Sequence, residues 1–168
     1  EEADKPWASG RQRALELAGT NEDMRRVVEE LFRNPSRESL HEFSWRASFD
    51  FNKNKEYAQP LVGFLLHEDP YVRMGTVQLL GDLGDKRVIP QIMKLLKDPD
   101  MVVRAWSSEA LGKLGDPSVI PQIMELLKDP DQPVRSMSVQ ALGNLGDSSV
   151  IPQIMPLLED PCDFVRGA

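Results

Sequence analysis

Asp98–Lys128 reads DPDMVVRAWSSEALGKLGDPSVIPQIMELLK, and Asp129–Glu159 reads DPDQPVRSMSVQALGNLGDSSVIPQIMPLLE. Laid one on the other without a gap, the two stretches agree at 21 of 31 positions. A fixed period of this length marks a repeat architecture, in which each unit buries its apolar face on its neighbours. The expected fold is all-α, an α-α superhelix of about five helical-hairpin units plus a partial sixth.

Each unit divides into two helical patterns. In the first, Val103, Ser107, Ala110, Leu111 and Leu114 recur at three- and four-residue steps and share one face. Asp100, and Asp131 one unit later, stand where an N-cap carboxylate accepts from an orphan amide. Gly84, Gly115 and Gly146 stand where a left-handed residue ends a helix. The second pattern carries Val119, Ile120, Ile123, Met124, Leu126 and Leu127 and stops near Asp129-Pro130. Pro90, Pro121 and Pro152 recur near its start, where the first-turn amides have no helical acceptor to lose. Gly81, Gly112 and Gly143 fall inside the first pattern. Glycine there costs roughly 1 kcal/mol against alanine, so the spacing predicts a neighbouring helix crossing too closely for a β-carbon.

Before Asp98 the pattern fits as Asp69–Lys97, with two residues fewer between the proline and Val-Arg. Pro60, Leu65 and Leu66 keep the spacing of Pro90, Leu95 and Leu96. The whole chain, 1–168, reads as one solenoid domain. It comprises two degenerate units over 7–70, with Phe51–Lys55 as a turn, three regular units over 71–161, and a truncated unit over 162–168. The first residues lack an initiator Met, which fits either a cytoplasmic fragment or an exported mature form. Pro156, four residues after Pro152, should loosen its helix, and Cys162 replaces a capping Asp, with Asp163 one position late.

Composition limits the function. The chain has 27 acidic and 20 basic residues, a net charge of −7, and both halves are mildly acidic, which argues against nucleic acid as partner. One cysteine closes no internal disulfide. No run of eighteen apolar residues is present, so no membrane span is expected. No cofactor and no metal is expected.

The spacing of Asp98 and Arg104, the Ala-Leu-Gly-x-Leu-Gly-Asp that follows and the later Val-Ile-Pro resemble the HEAT repeat. More narrowly, they resemble the short HEAT-like repeat named for phycobilisome lyases, clearly over 69–166 and faintly over 7–68. The resemblance implies paired antiparallel helices, with second helices along an inner wall and protein binding as the commonest role. It also implies an Asp/Arg ladder between successive units, for which the candidates are Asp98/Arg104, Asp129/Arg135 and Asp160/Arg166. Asp69/Arg73, four apart, departs from that spacing.

Three enzymatic resemblances follow from the same fold. HEAT-like di-iron hydroxylases use His-Glu pairs, and this chain has His41-Glu42 and His67-Glu68. The repeat positions that should continue the series hold Met74-Gly75, Ala105-Trp106 and Ser136-Met137 instead, pairs that follow the ladder arginines and are expected to face outward. A tetrapyrrole lyase activity is suggested by the family's name alone. HEAT-like DNA glycosylases would need a cationic wall, whereas Lys94 is followed in its column by Glu125 and Pro156. The expectation is therefore a non-catalytic protein-binding or assembly scaffold for a protein or peptide ligand. The alternative is a lyase-like enzyme or an accessory subunit of one. Candidate binding residues are the column Gln91, Gln122 and Gln153, the adjacent column Lys94, Glu125 and Pro156, and an outward spot at Trp106 and Met137. Self-association through an uncapped C-terminal face is the further partner expectation.

Overall fold

The computed structural model describes residues 5–48, 54–160 and Gly167. The described residues are helical throughout, without a strand, and they belong to two compact units, Glu1–Val88 and Ile89–Ala168.

In the first unit, α1 (Gly10–Ala18), α2 (Glu22–Arg33) and α3 (Arg37–Ala47) pack in succession. Asn21 caps α2 by accepting from the Met24 amide at 3.0 Å, and Ser36 with Ser39 closes a capping box on α3. A 3₁₀ turn at Asn54–Tyr57 leads into α4 (Ala58–Leu61), a second 3₁₀ stretch at Val62–Leu66, and α5 (Pro70–Leu83). The core here is aromatic: Phe32 meets Phe64 with centroids 4.9 Å apart, and Phe43 meets Tyr57 edge-on at 5.3 Å. Trp7 is buried against Phe64 and His67. Its approach depends on Gly63, where a β-carbon would lie 2.5 Å from the Trp7 Cα.

The second unit is aliphatic. It contains α6 (Ile89–Lys94), α7 (Met101–Leu114), α8 (Ile120–Glu125), α9 (Gln132–Leu145) and α10 (Ile151–Ile154). Val103, Ser107, Ala110, Leu111 and Leu114 are all buried, as the spacing requires. Second helices are brief: 3₁₀ turns at Pro117–Val119 and Leu126–Lys128 flank α8. Pro121 and Pro152 sit in the first turns of α8 and α10. Gly84, Gly115 and Gly146 end α5, α7 and α9 with φ of 70°, 65° and 69°. Asp100 caps α7 through the Val102 amide at 2.8 Å. Asp131 occupies the N-cap of α9, but its side chain makes no cap bond. Pro133 stands where Val102 does and has no amide hydrogen to offer.

α9 lies across both α7 and α8. At their crossing a β-carbon on Gly112 would come 2.8 Å from the Ala141 Cα and 2.9 Å from its Cβ, the close approach expected of that glycine. Gly143, its counterpart, has nothing within 4 Å of the same position. α10 ends at Ile154, two residues short of the length of α8, and continues as a 3₁₀ stretch at Met155–Glu159 containing Pro156. The expected loosening is there.

Three sequence expectations need correction. Asp69 is the N-cap of α5, so it corresponds to Asp100, not Asp98. The 31-residue period then runs unbroken from His67, with Arg73 matching Arg104 and no residues lost between units. Nor do Leu65 and Leu66 match Leu95 and Leu96: Phe64 and Leu65 are the buried pair, and Leu66 is 71% exposed. Asp-Pro dipeptides and prolines stand at different offsets from the helix starts in the two units, so their spacing does not mark the register. Finally, Met74 and Ala105 do not face outward but are buried. At these two positions the residue after the arginine is turned inward, while Ser136 is half-buried. Cys162, Asp163, Arg166 and most of the Phe51–Lys55 turn lie outside the described residues.

Candidate functional site

Two arrangements stand out in the second unit, one that holds it together and one that opens to solvent. The first is the ladder, which runs between units. Arg104 donates from Nε to Asp129 Oδ2 at 2.9 Å and from Nη2 to Asp129 Oδ1 at 3.0 Å. Its Nη2 also reaches Asp131 Oδ2 at 2.8 Å, the carboxylate left without a cap amide by Pro133. Nη1 donates to the carbonyls of Asp98 and Pro99 at 3.0 and 3.2 Å. Arg135 repeats the pattern with Asp160, at 2.9 and 3.1 Å, and with the carbonyls of Asp129 and Pro130. Each rung is thus Arg of one unit with Asp of the next. Burial alone would raise the Asp129 carboxyl, but the Arg104 hydrogen bonds, the Asp131 amide and the charges of Arg104 and Arg135 outweigh it and hold it below its ordinary value. Arg104 is raised correspondingly, first by its bond to Asp129.

Arg73 makes the same backbone contacts, donating to the carbonyls of His67 and Glu68 at 2.8 and 2.9 Å. His67 takes the place of the ladder Asp. Its Nδ1 accepts from the Asp69 amide at 3.1 Å, as Asp98 and Asp129 accept from the amides of Asp100 and Asp131 at 2.9 Å. The ring lies 4.6 Å from that of Trp7. Burial lowers the His67 pKa, against the opposing charges of Asp69 and Glu68. His41 lies on α3, exposed, and Glu42 pairs with Arg46 at 3.0 Å. Among the described residues no three of His, Cys, Asp or Glu come together as a metal site, and no helix is long and apolar enough to cross a membrane.

The second arrangement is an open cleft of about 490 Å³ between the α8 and α10 segments. Pro121, Met124, Glu125, Leu127 and Lys128 form one side, Gln153 and Pro156 the other. It brings together three of the predicted column residues, Glu125, Gln153 and Pro156. Gln122 and Gln91 are half-buried and Lys94 is exposed, none of them in this lining. Trp106 and Met137 are half-buried on α7 and α9. Met124, Leu127 and Lys128 were not foreseen as surface residues of a site. Pro121, Met124, Glu125 and Lys128 recur at three- and four-residue steps and therefore share one face, a signal present in the sequence but masked by the apolar pattern of the helix.

The sequence profile of the HEAT repeats family matches residues 58–136 and 120–168. Among solved structures, the complex of CpcE and CpcF of phycocyanin lyase from Nostoc sp. PCC7120 is similar, at 21% identity and a TM-score of 0.65. The match covers 93% of this chain and 60% of that chain, so this chain spans less than two thirds of its neighbour's length. No curated protein matches. The expectation that the chain is not an enzyme is overturned by this neighbour. A fold shared over nearly the whole chain serves in a lyase complex, and HEAT-like architecture gives no ground for setting catalysis aside.

Proposed function

This chain belongs to the HEAT repeat family, and from that premise we propose that it is a protein-binding subunit of an assembly, taking a segment of its partner into the α8–α10 cleft. One observation carries the reading. From Val119 to Lys128 the second segment differs from its successor, Val150 to Glu159, only at Glu125/Pro156 and Lys128/Glu159, and three of those four residues line the cleft. The core and caps are copied, while the surface around the opening is individual. Its floor is apolar, from Met124, Leu127 and the two prolines, and Glu125, Lys128 and Gln153 supply charge and an amide at its edge. That combination suits an extended peptide with an apolar side chain pointing in and its backbone bonded to Gln153.

A second reading rests on the structural neighbour. The similarity to a phycocyanin lyase complex supports a role as an accessory or catalytic subunit in a lyase-type reaction, where the cleft would hold a partner subunit or the protein being modified. Photo-crosslinking separates these proposals from a chain without a site here. A benzophenone side chain at 125 and another at 156 should capture one and the same protein, while one at 113 on α7 should not. Capture of unrelated proteins at 125 and 156, or equal capture at 113, would overturn the cleft as binding site. If the captured partner gains or loses a tetrapyrrole on mixing with this chain, the lyase-type reading holds; an unchanged absorption spectrum leaves the binding role alone.

A further inference from the structure

Gly75 breaks the repeat pattern on α5. The same position holds Trp106 on α7 and Met137 on α9, both half-buried. With no side chain there, Leu40 of α3 comes within 3.1 Å of the place a β-carbon would take, and a cavity of about 240 Å³ opens between α3 and α5. Its apolar part is made by Leu40 and Leu79, both buried. The rest of the lining is polar. Arg37, His41 and Ser44 follow at four- and three-residue steps and so share one face of α3, while Gln78 and Asp82 stand four apart on α5.

These polar groups are matched unevenly. Arg13, Arg26, Arg33, Arg46 and Arg87 each hold a carboxylate of the first unit, whereas Arg37 pairs with none among the described residues. On α7 the counterparts of Gln78 and Asp82 are Glu109 and Lys113, which satisfy each other at 3.2 Å. On α5 the same two positions hold an amide and an acid, and Asp82 is not free. What the cavity offers a ligand is therefore donors: an unspent guanidinium, a hydroxyl and an amide, with an imidazole beside them. A carboxylate matches them, since a guanidinium binds it through two parallel hydrogen bonds. Asp82 in the same lining repels a second negative charge, which disfavours phosphate groups. The space left by Gly75, beside Leu40 and Leu79, suits an apolar body about the size of a Trp or Met side chain.

We infer that the α3–α5 cavity binds a monocarboxylate with an apolar body, its carboxylate on Arg37 and its body in the space beside Gly75. None of these residues lines the α8–α10 cleft, so either site can be absent without the other. Amide chemical-shift titration of the whole chain with 3-phenylpropionate tests it, with 3-phenylpropanol and inorganic phosphate as controls. The expected result is saturable binding at a Kd of roughly a millimolar, as suits so small a ligand, with the shifted amides on α3 and α5 and neither control reproducing it. Arg37→Gln, at an exposed position, should keep the wild-type helical signal and weaken binding at least tenfold. Gly75→Met, which supplies the side chain that α9 carries, should fill the cavity and abolish binding. N-acetylphenylalanine, which carries a peptide bond beside its carboxylate, separates the two sources of such a ligand: tighter binding than 3-phenylpropionate assigns the carboxylate to a polypeptide C-terminus, weaker binding to a free acid. No saturation, equal binding of the alcohol, shifts confined to other helices, or an affinity unchanged in Arg37→Gln would overturn the inference.

Discussion

Arg104→Met tests what the ladder contributes. The substitution keeps an apolar stem in place and removes all five hydrogen bonds of the guanidinium. It leaves Asp129, whose side chain is 7% exposed, as a nearly buried carboxylate stabilised only by the Asp131 amide and the charge of Arg135, which makes no hydrogen bond to that carboxylate. Removing one partner of a buried ion pair costs about 3–5 kcal/mol, because the other charge is left uncompensated. The lower end applies here, since Asp131 is 43% exposed and its bond is solvated when broken. At roughly 2–4 °C per kcal/mol for a chain of this size, the melting temperature should fall by about 6–12 °C. Asp129→Asn should cost less, about 2 kcal/mol, because its Oδ1 still accepts from the Asp131 amide and Arg104 keeps Asp131. The double variant should be less destabilised than the sum of the two by about 1–2 kcal/mol. Urea unfolding followed by helical signal and by fluorescence, to which Trp106 two residues away contributes, measures all four corners of this cycle. A cost below about 1 kcal/mol for Arg104→Met, the value of an exposed surface pair, or strict additivity in the cycle, would refute the claim that the rungs tie successive units together.

Gly112→Ala should destabilise by about 1–3 kcal/mol through overlap with Ala141, whereas Gly143→Ala, with open space around it, should stabilise by up to about 1 kcal/mol from helix propensity; thermal melts of the pair decide it. Asp129 has a carboxyl pKa depressed on folding, so its contribution to stability is complete above its unfolded value and is lost as pH falls through the lower folded value. Stability measured against pH should therefore drop below about pH 4, and Arg104→Met should flatten that limb. His67 is also lowered on folding, and because it is the neutral ring that accepts from the Asp69 amide, its contribution is present above the unfolded value and fades as pH falls below about 6.5. His67→Gln should remove that dependence between pH 7 and 5 in urea titrations; an unchanged slope would show that the ring is not the titrating group.

Most of the repeat was legible because its elements are set by short-range chemistry. The apolar stripe from Val103 to Leu114, the first-turn prolines and the αL glycines each depend on residues within one helix, and each forms as its spacing requires. Gly112 was legible because a costly residue repeated in one register demands a steric reason. What failed involved choosing between equivalent local signals. Asp69-Pro70 and Asp98-Pro99 look alike in sequence, yet one begins a helix and the other sits two residues before one. Only the helix start at Asp69 shows that His67 holds the ladder position. The cap role of Asp131 failed because Pro133 removes its amide, a three-centre effect in which Arg104 is the beneficiary. The cleft was half legible. The columns of Gln153, Glu125 and Pro156 are there, but whether a column opens into a cleft depends on the separation of neighbouring segments, and sequence spacing along one helix carries no measure of that.

The use made of a single carboxylate explains how the array is ordered and where it begins. Asp129 Oδ1 accepts from the Asp131 amide, shaping the turn that starts α9, and from Arg104, fixing α7 to that same turn. Local geometry and contact between units are therefore set by one group, and a unit with a well-formed turn is already prepared to receive its predecessor's arginine. At the start of the regular series only the first task remains. Glu42, and not an arginine, stands 31 residues before Arg73, so a carboxylate at position 67 would have no matching guanidinium one period earlier. An imidazole performs the turn-forming task while neutral, and its ring packs against Trp7 at 4.6 Å between centroids, tilted by 40°, a contact that a charged carboxylate would make only at a desolvation cost. The histidine there is what the ladder becomes where its first rung has no partner, with no metal or catalytic role required to account for it.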